Sequence, residues 1–444
     1  MTNLIRIKKG LDLHLVGEAS GELSDVTYKS TQFAVIPDDY CGLVPKLMKK
    51  EGESVKSGEA IIFDKRFNDI KIVSPVSGTI TKVIRGERRK LLRVEIESNN
   101  DNAQTLFNIT DLSKKNIEQV LLQSGIWAMM RQRPYDIIPE PGKTVRDIFI
   151  TTFDSAPLAP KYTLLNNNIE AFKKGVEILS KLTEGKVYIG CRKDNLIETP
   201  NAESYIFDGP HPAGNVGVQI ANIKPVNKGE TVWALDADVV VRIGLLFNKG
   251  YVDFTTIVAL TGENVKAPKI IKTTAGISMS ALLKQDVENI ESSRIIAGNV
   301  LTGIQESTEG FLHFPFRQIT VIPENANEAE FMGWASLSTK KYSHSRSFFS
   351  WLNKKKAYHF DAKINGSERA IIMAGEYDEV FPMDIYTEFL IKAILAKDVD
   401  KMEQLGIYEV APEDFALCEF VDTSKIQLQK IVREGLNYLM RELN

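Results

Sequence analysis

The run Asp208-Gly209-Pro210-His211-Pro212-Ala213-Gly214 sets an acid and a histidine among two prolines and two glycines. Proline stiffens a loop and glycine admits unusual φ, so the shape of this one is predicted to be fixed. Histidine titrates near neutral pH, which makes Asp208 and His211 a candidate proton-handling pair shaped by Gly209 and Gly214. The competing reading, a rigid loop packed on a neighbouring chain, is the favoured one. A second concentration of chemistry lies in Leu121 to Pro141, LLQSGIWAMMRQRPYDIIPEP. There a short helix leads into Ser124-Gly125, and a turn ends in Arg133-Pro134-Tyr135. Trp127, Tyr135 and Arg133 combine aromatic walls with hydrogen-bond donors, the mixture wanted by a flat ligand bearing carbonyls. The same residue types also make ordinary interface anchors.

Other reactive residues are scattered. Cys41, Cys191 and Cys418 lie far apart with no CxxC, which rules out a self-contained four-cysteine iron–sulfur or zinc site. Lys65, in Phe63-Asp64-Lys65-Arg66, stands near a hairpin tip as a carrier lysine would, and a solvated lysine is the favoured reading. Ser343 to Tyr358, SHSRSFFSWLNKKKAY, mixes Phe348, Phe349, Trp351 and Leu352 with Arg346, Lys354, Lys355 and Lys356. It reads equally as a segment lying on a lipid surface or membrane partner and as core with solvated lysines.

The elements that must position these residues are legible as four regions. Residues 1–100 read as all-β, with short apolar alternations between Gly and Pro punctuation. Within them Gly42 to Ser98 has the two turns of a barrel-sandwich, at Glu51–Glu59 and at Ser74–Ile80. Residues 101–250 alternate helix and strand: a helix at Asn168–Lys181 with an apolar stripe, and strands at Ile148–Thr152, Lys186–Gly190, Asn201–Phe207 and Val232–Leu235. That alternation predicts a mostly parallel sheet with ligands at the carboxyl ends of its strands, where loops Trp127–Tyr135 and Asp208–Gly214 should meet. Residues 251–330 return to short strands around a helix at Ser278–Leu283, and 331–444 are mostly helical. The fold class is α+β multidomain.

Composition narrows the function. The 444-residue chain is 43% hydrophobic and 25% charged with a net charge of −3, so nothing proposes nucleic acid as a partner. No apolar run reaches the roughly 18 residues that span a bilayer, and the N-terminus lacks the apolar core of a secretory signal. The chain is expected to stay cytoplasmic and to reach any membrane through partners.

The motifs resemble one family along essentially the whole chain: the A subunit of the Na+-translocating NADH:quinone reductase. The likeness is carried by Ile7–Leu13, Ser74–Gly78, Ser124–Trp127, Arg131–Pro134, Leu182–Tyr188, Phe207–Gly214, Gly298–Gly303, Asn365–Arg369 and Pro382–Asp384. The resemblance implies a biotinyl/lipoyl-like barrel-sandwich domain and a Rossmann-like α/β domain related to the flavoprotein subunit of complex I. It further implies a β-grasp domain and a C-terminal helical domain without its iron–sulfur cluster. In the flavin-binding relatives a run of glycines cradles the FMN phosphate; here Ile126–Met130 stand in those positions, so the flavin is expected to be lost. The implied role is a peripheral subunit on the cytoplasmic side of the bacterial inner membrane. It would bind no redox cofactor itself, while FMN, FAD, riboflavin and a 2Fe-2S centre sit on partner subunits. Its partners would be the other subunits, chiefly the membrane subunit carrying flavin, with quinone as the substrate of the complex. Family positions connected with quinone fall on Tyr40, Gly42, Arg133, Pro134 and Tyr135, to which Trp127 is added on chemical grounds. The alternatives are a flavin-binding dehydrogenase subunit of the complex I or Rnf type and, more distantly, a carrier protein using Lys65.

Overall fold

The computed structural model describes residues 3–325, 338–353, 355–372 and 375–443. Alternating apolar strands of the N-terminal region close into a first β unit of two facing layers. One orders Gln32–Val35, Leu91–Ser98, Gly78–Arg85 and Ser54–Val55; the other orders Pro45–Leu47, Ala60–Asp64 and Lys71–Val73. Ile61, Ile62, Ile72, Ile80, Val94 and Ile96 fill the space between them and are buried. This is the barrel-sandwich anticipated from the turns. Lys65 is exposed, but the hairpin it sits on is tied down. Its backbone N–H donates to Val44 O at 2.9 Å, and the Arg66 guanidinium next to it donates to Gly42 O.

The second sheet has six strands in the order Asn3–Arg6, Glu203–Asp208, Val187–Cys191, Asp147–Thr151, Val232–Asp236 and Arg131–Arg133. Every neighbouring pair is parallel except the last, where Arg131–Arg133 runs antiparallel to Val232–Ala234. Asp147–Thr151 and Val187–Cys191 are buried along their whole length, as strands covered on both faces must be. The covering helices Ile169–Ser180 and Ala237–Lys249 cross at two glycines. A Cβ on Gly244 would fall 1.7 Å from Ala171 O, and one on Gly175 2.1 Å from Val240 O. Chain order reverses beside Asp147–Thr151, because the next two strands lie to one side of it and Val232–Asp236 to the other.

A third sheet of six strands orders Ile304–Glu306, Ser293–Ala297, Gln318–Pro323, Thr255–Thr261, Lys269–Thr274 and Leu23–Thr27, with the helix Met279–Leu283 packed in its apolar cluster. The helices Thr387–Ala396, Ala416–Val421 and Leu428–Leu443 close the chain around Leu390, Phe415, Cys418, Val432 and Leu436. The first 27 residues, read from sequence only as part of an all-β region, pair outside the two barrel-sandwich layers: Asn3–Arg6 extends the parallel sheet and Leu23–Thr27 the third sheet. Edge strands of four or five mostly exposed residues carry no alternation that would assign them to a partner.

Candidate functional site

The loop after helix Lys114–Gln123 is built by local hydrogen bonds and packing. Ser113 Oγ caps the helix by accepting from Asn116 N at 3.4 Å, and Ser124 Oγ closes its end by donating to Leu121 O at 3.1 Å. Gly125 then turns the chain at φ +78° against Val73 of the barrel-sandwich. Ile126 to Met130 pass into the core. Trp127 is 1% exposed, meets Trp233 edge to face with centroids 5.0 Å apart, and donates its indole N–H to Pro139 O at 2.8 Å.

From there Arg131–Arg133 forms one arm of a hairpin whose other arm is Ile137, with Gln132 N donating to Ile137 O at 2.7 Å. Tyr135 and Asp136 at the turn both have positive φ, 79° and 52°. A non-glycine pair in that region costs on the order of 1–2 kcal/mol per residue, so something must hold it. An ion cluster does. Arg133 is 1% exposed; it donates to Glu413 at 3.0 Å and lies 3.7 Å from Asp136 and 3.8 Å from Asp414. Arg433, from the last helix, donates to Tyr135 O at 2.7 Å and to Asp136 at 2.8 Å. Burial pushes Asp414 up despite the pull of Arg133. Asp136 is also pushed up by burial, but Arg133 and Arg433 outweigh that and leave it below the ordinary carboxylate value. Pro134 is buried beneath the turn and Tyr135 is half-buried against the C-terminal helices.

The segment Asp39–Gly42 meets this hairpin directly. Ile138 N donates to Cys41 O at 3.0 Å, Arg131 donates to Asp39 O at 3.1 Å, and Gly42, at φ +87°, faces Ile137. Tyr40 stacks on Phe314 with centroids 5.6 Å apart and planes 11° from parallel. Burial pushes the Tyr40 phenol upward, so it stays a neutral hydrogen-bond donor. Beside it, His313 is held between two carboxylates, Nδ1 2.6 Å from Asp39 and Nε2 3.0 Å from Glu306, while Phe314 N donates to Asp39 at 2.9 Å. Burial lowers His313, yet the bonds to Asp39 and Glu306 win and raise it to about 9; the burial cost shows on Asp39, which is pushed up. The imidazolium is charged in folded and unfolded chains alike below about pH 6.5, so its stabilisation is fully present there. It is lost as pH rises through about 9, where the folded histidine gives up its proton. Between those limits the stability gap between the wild type and His313→Gln is therefore expected to shrink, by on the order of 1–3 kcal/mol. Denaturant melts of both proteins at stepped pH check this; a constant gap would contradict it.

The second candidate loop is interlocked with the N-terminus. Ile7 N donates to Asp208 O at 2.7 Å, Leu11 N to His211 O at 2.8 Å, and His211 N to Asp12 at 2.9 Å. The His211 ring does not face Asp208, which is exposed. Its Nδ1 bonds Ser155 Oγ at 3.0 Å, and that hydroxyl also accepts from Gly214 N at 2.8 Å. Burial drops His211 to about 4, with Asp154 and Asp12 pulling the other way, so the ring is neutral at neutral pH. Gly209 abuts Ile7. The loop is thus a fixed structural joint. What links it to the Arg133 turn is Pro412–Phe415: Asn215 donates to Glu413 O at 3.4 Å while Arg133 holds the Glu413 side chain.

A cleft of about 870 Å³ opens at the carboxyl ends of Asp147–Thr151 and Val187–Cys191 and is lined by Phe153, Ser155, Lys161 and Arg192. The Arg192 guanidinium lies 4.5 Å from the Phe153 ring centre. Sequence reasoning named none of these residues; the signal that finds them is the reversal of chain order beside Asp147–Thr151.

Comparison with known proteins agrees along the chain. Family models match residues 5–99 as the NqrA N-terminal barrel-sandwich hybrid domain, 112–252 as the NqrA second alpha/beta domain and 257–307 as the NQRA C-terminal domain. The A subunit of the Na(+)-translocating NADH-quinone reductase of Vibrio anguillarum is 33% identical over an alignment of 449 residues, gaps included, that covers 99% of this chain and 100% of that protein. Those of Hahella chejuensis (strain KCTC 2396) and Yersinia pestis bv. Antiqua (strain Angola) are 34% and 35% identical over 451 residues, with the same coverage. The chain belongs to this family, the A subunits of the Na+-translocating NADH:quinone reductase. Its members work as one part of an oxidoreductase complex that has other subunits. A chain of an NAD+-reducing [NiFe]-hydrogenase covers 48% of this protein and 47% of its own length at 11% identity, with a TM-score of 0.30, too low to carry an argument.

The resemblance sets Ile126–Met130 against a glycine loop that cradles a flavin phosphate, and in this structure side chains fill that stretch. Ile126, Trp127, Ala128 and Met130 are buried in one apolar cluster with Trp233 and Leu235. A flavin does not fit without expelling them. Among the described residues no group of three or more His, Cys, Asp or Glu is arranged to hold a metal ion, and no helix is long and apolar enough to cross a membrane. Cys191 and Cys418 are buried in separate apolar clusters, and burial pushes both thiols up.

Proposed function

We propose that this protein carries no redox cofactor of its own, docks peripherally on the cytoplasmic side of the membrane subunits, and lends one wall to the quinone site. Electrons from NADH reach the quinone through flavins and an iron–sulfur centre on partner subunits, chiefly through the membrane subunit that carries flavin. The observation that carries this reading is the junction where Tyr40–Gly42 packs on the hairpin Arg131–Ile138. Two stretches 90 residues or so apart meet there, with a half-buried stacked phenol at the seam. A quinone head needs a flat apolar face and a hydrogen-bond donor at its carbonyl, and Tyr40 with Phe314 offers both. Tyr135 lies on the same hairpin. Trp127, Arg133 and Pro134 act by shaping the seam, since the indole N–H and the guanidinium already have protein partners. The same reading takes residues 101–250 as Rossmann-like, 251–330 as β-grasp and 331–444 as a helical domain that has lost its cluster. The parallel sheet, the third sheet around Met279–Leu283 and the closing helices support it.

Tyr40→Ala in the assembled complex is expected to raise the KM for quinone about tenfold, the loss of roughly 1.4 kcal/mol of binding. NADH oxidation by an artificial acceptor that draws electrons ahead of the quinone should be unchanged. Equal loss of both activities, or no change in either, would contradict the assignment.

A further inference from the structure

The stretch Ser338 to Tyr358 holds Lys340, Lys341, Arg346, Lys354, Lys355 and Lys356 and no acid, in a chain whose net charge is −3. Tyr358 at its root is buried, but the apolar residues at its tip are not core. On the single turn Phe349–Leu352, Phe349 is 39%, Trp351 49% and Leu352 66% exposed. The turn is braced from below. Phe348 N donates to Ser343 Oγ at 2.8 Å, Ser343 N to Ser350 Oγ at 3.2 Å, and the buried Ser350 hydroxyl returns a bond to Ser343 O at 3.1 Å. Its root is fixed to the N-terminal segment, with Tyr358 N donating to His14 O at 2.8 Å and Val16 N to Tyr358 O at 3.1 Å. Tyr342 meets Tyr358 edge to face at 5.7 Å. An acid facing the segment from another element is Glu379, 3.4 Å from His344.

A loop cross-braced to display Phe, Trp and Leu within a basic stretch has two signals at once. Apolar side chains enter the boundary between headgroup and acyl chain, and lysine and arginine are drawn to anionic headgroups. Tryptophan favours that boundary because its ring is apolar and its N–H is polar. We infer that Phe349–Leu352 is a lipid-contacting tip by which the protein rests on an anionic phospholipid surface. The charge is complementary to such a surface, and a component of a Na+-translocating complex works where one is present. The inference goes beyond the quinone site and does not depend on it, because none of the seam residues lies in this tip.

The test is sedimentation of the full chain with vesicles of phosphatidylcholine and phosphatidylglycerol mixed, and with phosphatidylcholine alone, at low and high salt. Binding is expected to the mixed vesicles only and to weaken with salt. Each of Lys355→Gln and Lys356→Gln should weaken it about fivefold, the effect of one cation near the surface. Trp351→Ala with Leu352→Ala should weaken it by at least about tenfold while leaving the circular dichroism and melting curve unchanged. With Trp334 replaced by Phe in both proteins, quenching by brominated lipid should fall in Trp351→Phe, since Trp127 and Trp233 are buried. No binding to the mixed vesicles at low salt, or binding that the double variant leaves intact, would overturn the inference. Capture by a membrane protein without vesicle binding would overturn it too, making the tip a protein interface.

Discussion

Replacing Arg133 with methionine is expected to cost about 3–5 kcal/mol, because it leaves Asp136, Glu413 and Asp414 facing one another without the cation between them. Methionine keeps most of the volume, so the loss reports charge rather than packing. The turn Pro134–Asp136 would also lose one of two clamps on its positive-φ residues, with only Arg433 left. In denaturant the transition that includes the C-terminal helices should move to lower concentration. Adding Glu413→Gln and Asp414→Asn to the variant should recover part of the loss, since two acids that burial already pushes toward the protonated form are then neutral at any pH; a thermodynamic cycle that takes the acid pair as one change separates that coupling from the separate effects. If Arg133 instead served a ligand and not the fold, the melt would scarcely move and quinone affinity would fall.

Gly10→Ala should be comparably severe. A Cβ on Gly10 would sit 2.2 Å from His211 O and 3.0 Å from Pro210, and the residue has φ +142°. On the other side of the joint a Cβ on Gly209 would sit 2.2 Å from Ile7 O. Two backbones pass here with no room for a side chain between them, so relief by a rotamer change is closed. Strain and overpacking together come to about 2–5 kcal/mol. Gly52→Ala is the matched control: φ is +84°, yet nothing lies within 4 Å of the added carbon, so strain alone remains. Hydrogen exchange at the Ile7 and Leu11 amides should accelerate in Gly10→Ala and stay unchanged in Gly52→Ala.

What the sequence makes legible is whatever is local. The helix at Ile169–Ser180 follows from an apolar stripe at helical spacing, and the buried strand Asp147–Thr151 from a short β-branched run between turns. The barrel-sandwich follows from the glycine turns at Gly52, Gly58 and Gly78. The burial of Ile126–Met130 is legible because tryptophan and methionine have apolar volume to hide wherever they fold. What escapes is non-local. Arg133 meets Glu413 across 280 residues and Asp39 meets His313 across 274, and no spacing rule pairs a charge with a partner so distant. For that reason Arg133 reads from sequence as a free donor, while folding sets it among three acids. His211 reads as half of an acid–histidine pair with Asp208, while folding turns its ring to Ser155 and sends Asp208 to solvent. The basic aromatic segment reads evenly as lying on a lipid surface or membrane partner and as core, and only folding shows that Trp351 and Leu352 are exposed.

The central claim is that side chains now fill the place of a flavin. Its most direct test is the visible absorption of the purified full chain after incubation with excess FMN and removal of free ligand. No flavin absorbance is expected, because Trp127 and Met130 fill the loop as buried members of the apolar core. A flavin spectrum at one FMN per chain would contradict the claim and make the protein a redox carrier.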